Sequence, residues 1–187
     1  MSPDIIEKLQ QIVGSSYVFT DEETLNDYGK DHTEDFVFPP GIVVKPASTE
    51  EVSEIMKQAF EYEIPVVPIG ARTGLSGGVL CVHKGIGLSM ERLNQIEKID
   101  EQNLQVITQP GVITEVLQNA VAEKGLFYPV DPSSKGSCFI GGNVSENAGG
   151  ARAVKHGVTK DYVLNLEVVL PNGEIIWTDA NTLKNAT

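Results

Sequence analysis

The chain has 187 residues, enough for one domain or two small lobes, and 41% of them are hydrophobic, enough for an ordinary core. Its net charge of −12 argues against nucleic acid or an anionic membrane surface as the main partner, since both need basic patches. No apolar run approaches the ~18 residues that a membrane-crossing helix needs, and no basic stretch leads into an apolar one at the N-terminus.

Residues 4–13 place Ile5, Ile6, Leu9, Ile12 and Val13 on one helical face, with Pro3 suited to the first turn and Gly14 to the end. A second, acidic helix is predicted over 21–28, begun by Thr20 or Asp21. Ile42–Val44 reads as a strand. Ser48-Thr-Glu-Glu51 fits a capping box, and the helix it opens carries Val52, Ile55, Met56, Ala59 and Phe60 at helical spacing. Val66-Val67 gives the next strand, so 41–69 is expected to be a βαβ unit with a parallel pair, and Ile86–Ser89 adds a third strand.

The pattern then changes. Residues 95–99 and 104–108 flank Asp100-Glu-Gln-Asn103 as a hairpin. A helix follows with Ile113, Val116, Leu117, Ala120 and Val121 on one face, closed by Gly125. Residues 163–170 and 174–177 flank Pro171-Asn-Gly173, a strong hairpin signal. Tyr162 and Trp177 are expected in the core. The fold class is thus α+β: a parallel βαβ lobe over 1–94 and a lobe built on antiparallel sheet over 95–187.

Two loops stand out. Pro68-Ile-Gly-Ala-Arg-Thr-Gly-Leu-Ser-Gly-Gly78 carries Gly70, Gly74, Gly77 and Gly78, with Arg72, Thr73 and Ser76 between them. Glycine tolerates positive φ, so such a loop can turn successive N–H groups inward and hold a phosphate. The second glycine-rich stretch is Ile140-Gly-Gly-Asn-Val-Ser-Glu-Asn-Ala-Gly-Gly150. Residues 65–85 hold Arg72 and Lys84 and no acid; 132–160 hold Lys135, Arg152, Lys155 and Lys160 against Glu146. Glycine and positive charge gather in the same windows of an acidic chain, which points to a ligand with a pyrophosphate. Any single glycine is also explained by a tight turn. Arg72 suits either a phosphate or a neighbouring acid. Gly77-Gly78-Val79 lacks the Gly-Lys-Ser/Thr of a P-loop, and the first loop lacks G-x-G-x-x-G. Cys81 and Cys138 form no CxxC pattern and read as buried, reduced thiols. No metal site is read from the sequence.

The first loop resembles the pyrophosphate loop of the FAD-binding domain of vanillyl-alcohol-oxidase or p-cresol-methylhydroxylase type. Tyr128-Pro-Val-Asp-Pro132 is similar to that family's Tyr-Pro-Pro-Asp-Pro. Ile140-Gly-Gly-Asn143 and Asn147-Ala-Gly-Gly150 resemble its second FAD loop, and Lys155-His-Gly-Val-Thr-Lys-Asp-Tyr-Val163 and Glu167-Val-Val-Leu170 continue the match. The resemblance runs from about Pro46 to Thr187 and is nearest the group of glycolate oxidase D-subunit, D-lactate dehydrogenase and D-2-hydroxyglutarate dehydrogenase.

The resemblance implies that Gly70, Ala71, Arg72, Thr73 and Gly74, with Gly77, Gly78 and Val79, hold the FAD pyrophosphate. Pro132, Ser137, Gly141, Gly142 and Asn143 would line the path to the isoalloxazine, and Asn147, Ala148, Gly149, Gly150 and Gly157 would complete the pocket. Covalent members often carry His where Arg72 stands, so FAD is expected to bind non-covalently. The implied chemistry is hydride transfer from the α-carbon of a small D-2-hydroxy acid to FAD, in the cytoplasm, with the electron acceptor unassigned. Family members are more than twice as long, and their second half carries the substrate domain, any metal-binding histidines and the base. The chain is therefore expected to be a flavin-binding portion, inactive alone and prone to self-association. The competing reading is a non-catalytic flavin or nucleotide module that works with a partner subunit.

Overall fold

The computed structural model describes residues 1–33 and 36–178. The first helix, α1 (Pro3–Val13), starts on Pro3, whose missing N–H would be unpaired in a first turn anyway, and stops at Gly14, where φ is 87°. Ile5, Leu9 and Val13 are its buried side. A short strand β1 (Val18–Phe19) follows, then α2 (Glu22–Tyr28). Asp21, not Thr20, caps α2: its carboxylate accepts from the Thr24 N–H at 2.9 Å, which holds that carboxyl below its usual range.

After β2 (Ile42–Val44) comes α3 (Thr49–Glu61). The Ser48 hydroxyl accepts from the Glu51 N–H at 3.2 Å, but Glu51 reaches back to the Ala47 N–H at 2.7 Å, one residue before the expected partner. Ser48→Ala is expected to cost about 1 kcal/mol of stability, read by urea unfolding. Phe60 is not on the buried side of α3; it is 64% exposed, and Ser53 is buried with Ile55 and Ala59 instead.

The main sheet runs β1-β2-β4-β3, with β3 at Val66–Ile69 and β4 at Ile86–Ser89. β4 is parallel to both β2 and β3 and lies between them. The expected βαβ unit exists, but its two strands are not neighbours. Two local facts explain this. Pro68 in β3 has no N–H to give a second partner and suits an edge. All four β4 residues are buried, as a central strand requires. Gly87 belongs there because a Cβ would sit 2.9 Å from the Ile69 Cδ1 and 3.1 Å from the Pro40 Cγ. α1 and α3 cover one face of the sheet, over Ile42, Val44, Ile86 and Leu88. Tyr28, Val43, Ile69 and Cys81 pack on the other.

β5 (Ile96–Asp100) and β6 (Gln105–Thr108) form the first antiparallel hairpin, irregular between Ile96 and Lys98. It packs on α4 (Thr114–Ala122) through Ile96, Ile99 and Val106 against Leu117, Val121 and Val112. Val116, expected on that apolar face, is exposed. Gly125 closes the turn after α4 with φ 71°. Two short helices, α5 (Ile140–Ser145) and α6 (Ala153–His156), lead to the second hairpin, β7 (Glu167–Val169) and β8 (Ile175–Trp177). This hairpin is shorter than predicted and lodges on α3. Ser53 donates its hydroxyl to the Gly173 carbonyl, and Thr49 donates to Glu167 at 2.7 Å. Neither predicted aromatic is in the core. Trp177 is 60% exposed because alternation along β8 turns Ile176, not Trp177, inward. Tyr162 is 38% exposed, lies edge-on to Tyr128 and donates its hydroxyl to the His156 carbonyl.

Candidate functional site

The first glycine loop leaves the C-terminal end of β3, the side of a parallel sheet where ligands usually bind. Its carbonyls are tied outward. The Gly74 carbonyl accepts from the His32 N–H at 3.1 Å, and the Gly77 carbonyl accepts from the Leu80 N–H at 3.1 Å. Its amides are not tied. No backbone N–H of residues 70–79 donates to an acceptor among the described residues. None of these residues is buried and Leu75, Ser76 and Gly78 are exposed, so the run of free donors is open to an external anion. Arg72 and Gly77 hold the loop's shape at φ 59° and 74°.

Arg72 turns to the acid. Its guanidinium lies 3.0 Å from the Asp27 carboxylate and stacks over the Tyr28 ring at 4.3 Å. Tyr28 in turn donates its hydroxyl to Glu91, and Lys45 pairs with Glu91 at 2.7 Å. Burial pushes the Glu91 carboxyl up, but the bonds from Lys45 and Tyr28 outweigh it and hold the group below its usual range. The loop is thus anchored to the C-terminal end of α2 by one buttressed cation.

The second loop is set by a bridge between Ile113 and Phe139. The Thr114 N–H donates to the Cys138 carbonyl at 3.0 Å, and the Gly141 N–H to the Pro110 carbonyl at 2.8 Å. Gly141 is required by that contact, because a Cβ would lie 2.6 Å from the Pro110 Cβ. Gly142 differs: nothing lies within 4 Å of its would-be Cβ, and its N–H donates to no acceptor among the described residues. Asn143 is buried and donates its side-chain amide to the Thr114 hydroxyl.

The two loops face each other across a cleft of about 500 Å³, within the range of cofactor pockets. From the first loop Gly70, Ala71, Arg72, Thr73, Gly74, Gly78 and Val79 line it; from the second, Pro132, Gly141, Gly142, Asn143 and Ala148. Six sequence-predicted residues are not part of that lining. Gly77 and Ser137 are in turns. Asn147 has φ 50° and accepts from the Lys160 N–H at 3.0 Å. Gly149 abuts Val158, Gly150 abuts Asp131, and Gly157, at φ 82°, abuts Asp161.

Other lining residues were not singled out from sequence: Asp31, Met90, Pro110, Ser134 and Phe139 among them. They come from scattered positions with no shared motif, so no local signal marks them. His156 is outside the lining and sits edge-on to Phe127. Burial pushes the Cys81 thiol up to about 11 and the Tyr128 hydroxyl up to about 12, so neither is a base near neutral pH. Among the described residues no group of His, Cys, Asp and Glu could hold a metal ion, and no helix is long and apolar enough to cross a membrane.

The cleft fits FAD on its own features: a run of unpaired amides for the pyrophosphate, an open glycine opposite, and apolar walls from Val79, Met90 and Phe139. Comparison with known proteins agrees. Residues 40–179 match the FAD binding domain family. The chain is 43% identical to glycolate oxidase subunit GlcD of Bacillus subtilis over 99% of its own length and 39% of that protein. It is 38% identical to a D-2-hydroxyglutarate dehydrogenase of Stutzerimonas stutzeri, over 99% of this chain and 40% of that one. It spans about 40% of the length of the curated relatives it matches. Among solved structures, an alkyldihydroxyacetonephosphate synthase superposes with a TM-score of 0.87 at 18% identity, covering 99% of this chain and 35% of that one. A p-cresol methylhydroxylase superposes at 0.74 and 21% identity, covering 94% and 35%. The chain belongs to the FAD binding domain family and has the p-cresol-methylhydroxylase type of fold.

Proposed function

We propose that this chain is the FAD-binding part of an oxidoreductase acting on a small D-2-hydroxy acid. The observation that carries the reading is the unpaired amide run of residues 70–79 facing Gly142 across the cleft. The names of the relatives supply the substrate class. FAD, when bound, supplies the hydride-accepting chemistry. The chain's own residues do the rest of what falls to this half. The amides of 70–79 bind the pyrophosphate. Arg72, already paired with Asp27, contributes positive field and anchors the loop. Val79, Met90 and Phe139 exclude water.

Binding is non-covalent in this reading: no histidine lines the cleft among the described residues, and Arg72 stands where covalent members carry one. The base that takes the hydroxyl proton lies outside these residues in this reading, since His156 is outside the cleft lining and burial keeps the Tyr128 hydroxyl protonated. We also divide the chain near Asn94, with the β7–β8 hairpin crossing back onto α3. Among the described residues the two hairpins have unpaired edges, and these, with the exposed Trp177, support self-association of the isolated chain. Unpaired, buried Cys81 and Cys138 support a cytoplasmic setting.

Anaerobic flavin absorbance tests the reading. The 187-residue chain is expected to bind FAD and keep it oxidised when D-lactate, glycolate or D-2-hydroxyglutarate is added. The protein expressed from its complete reading frame is expected to bleach its flavin with one of them. Bleaching by none, with FAD bound, would contradict the substrate class.

A further inference from the structure

Thr114 is fully buried at the start of α4 and does not line the cleft, yet its hydroxyl sits at the centre of a buried polar network behind the second loop. Its N–H donates to the Cys138 carbonyl at 3.0 Å, which fixes the residue against that loop. Its hydroxyl donates to the same carbonyl at 3.3 Å and lies 3.2 Å from the Cys138 thiol. A hydroxyl has a single proton to give and two lone pairs to receive with. Once the proton goes to a carbonyl, which can only accept, the Thr114 oxygen has only lone pairs left for Asn143. It therefore accepts from the Asn143 side-chain Nδ2.

That bond decides which end of the Asn143 amide is left for the cleft. Asn143 lines the cleft and is 3% exposed. With Nδ2 turned back to Thr114, Oδ1 points away from it. The side-chain oxygens both unpartnered and sealed among the described residues belong to Asp31, Thr33 and Gln58; Asn143 Oδ1, also without a donor, is not sealed and is reachable from the cleft its residue lines. A free acceptor on an otherwise buried side chain calls for a donor, and the ligand can bring one. The pyrophosphate cannot, since its oxygens only accept. The rest of FAD can: the flavin ring carries an N–H, the adenine an amine, and both sugar chains carry hydroxyls.

We propose that Thr114 is a positioning residue: it locks the Asn143 amide with Oδ1 toward the cleft, where that oxygen accepts a hydrogen bond from an N–H or O–H of the bound cofactor. The inference rests on FAD occupying this cleft and goes further by giving its two walls opposite polarity. The amides of 70–79 donate to the pyrophosphate, while Asn143 accepts from another part of the same ligand. Without the Thr114 hydroxyl the amide is free to turn and offer its NH2 group, a donor facing a donor.

FAD titration by flavin fluorescence on three variants tests this. Thr114→Val exchanges the hydroxyl for a methyl group, frees the amide and is expected to weaken FAD binding about ten-fold. Thr114→Ser keeps the hydroxyl and is expected to bind FAD as the unmutated chain does. Asn143→Leu removes the acceptor itself and is expected to lose at least as much as Thr114→Val; it also carries the test if the valine variant does not fold. ADP and FMN, titrated in competition with FAD, separate positioning from general damage. A loss confined to ADP puts the donor on the adenosine half, and a loss confined to FMN puts it on the flavin half. Unchanged FAD binding in Thr114→Val and Asn143→Leu would overturn the proposal, as would a serine variant as weak as the valine one. Equal weakening of ADP and FMN would overturn it too, because loosening of the whole second loop gives that pattern. Failure of the unmutated chain to bind FAD would instead reject the cofactor reading on which it rests.

Discussion

Gly142→Val is expected to abolish measurable FAD binding, by 100-fold or more, and leave the protein folded. The argument is spatial. Gly142 lines the cleft, no atom lies within 4 Å of a Cβ built on it, and its φ is not in the left-handed region. A valine there meets no protein atom at its Cβ and projects its methyl groups into the cleft between the loops. It also replaces a helical glycine, which costs helix stability. Gly141→Val, one residue earlier, is expected to behave in the opposite order. Its Cβ would lie 2.6 Å from the Pro110 Cβ and 3.1 Å from the Pro110 carbonyl oxygen, so it disturbs the contact that sets the second loop. Overpacking of that kind costs about 1–3 kcal/mol. Thermal melts and FAD titrations of the two variants, run side by side, check the contrast. Equal loss of binding and of stability in both would mean that Gly142 is not at the ligand surface.

Gly150→Ala should be the most destabilising single methyl in the second loop. The added carbon would sit 1.9 Å from the Asp131 carbonyl oxygen and 2.6 Å from its Oδ1. Nothing there is the free end of a flexible chain, so the backbone must part. That separation breaks the bond from the Arg152 N–H to Asp131, 3.1 Å long, and the ion pair between the same residues at 3.4 Å. A loss of about 3 kcal/mol or more is expected, the size reserved for steric faults of this kind. In a chain of this length it would lower the thermal midpoint by roughly 6–12 °C. FAD at saturating concentration should recover part of the loss, because Gly150 is not among the residues that line the cleft. A melting curve indistinguishable from the unmutated protein would reject the close packing of the loop on Asp131.

These two glycines show how far the sequence carried. Both belong to the same motif, and nothing in the motif says that the Cβ position of Gly142 is open while that of Gly150 is filled by Asp131. Local features were legible because local rules decide them. Pro3 and Gly14 bound α1, Ser48 caps α3, and Pro171-Asn172-Gly173 turns the second hairpin. Sheet order was not, since β4 takes the centre only when Pro68 and the burial of Ile86–Ser89 are weighed against a strand not yet reached in the chain. Helical spacing named the arc of α3 but not its width, which is why Phe60 fell outside it. Arg72 had two readings of equal standing until α2 brought Asp27 and Tyr28 beneath it. Asp31 had no signature at all, and only the fold brings it to the first loop.

The central claim is that the amides of residues 70–79 hold the pyrophosphate of FAD. Backbone amide spectra of the 15N-labelled chain, with and without FAD, test it most directly. The largest shifts are expected at residues 70–79 and at Gly142, with ADP alone reproducing those of the first loop. Shifts confined to Gly149, Gly150 and Gly157, with the 70–79 amides unmoved, would contradict it.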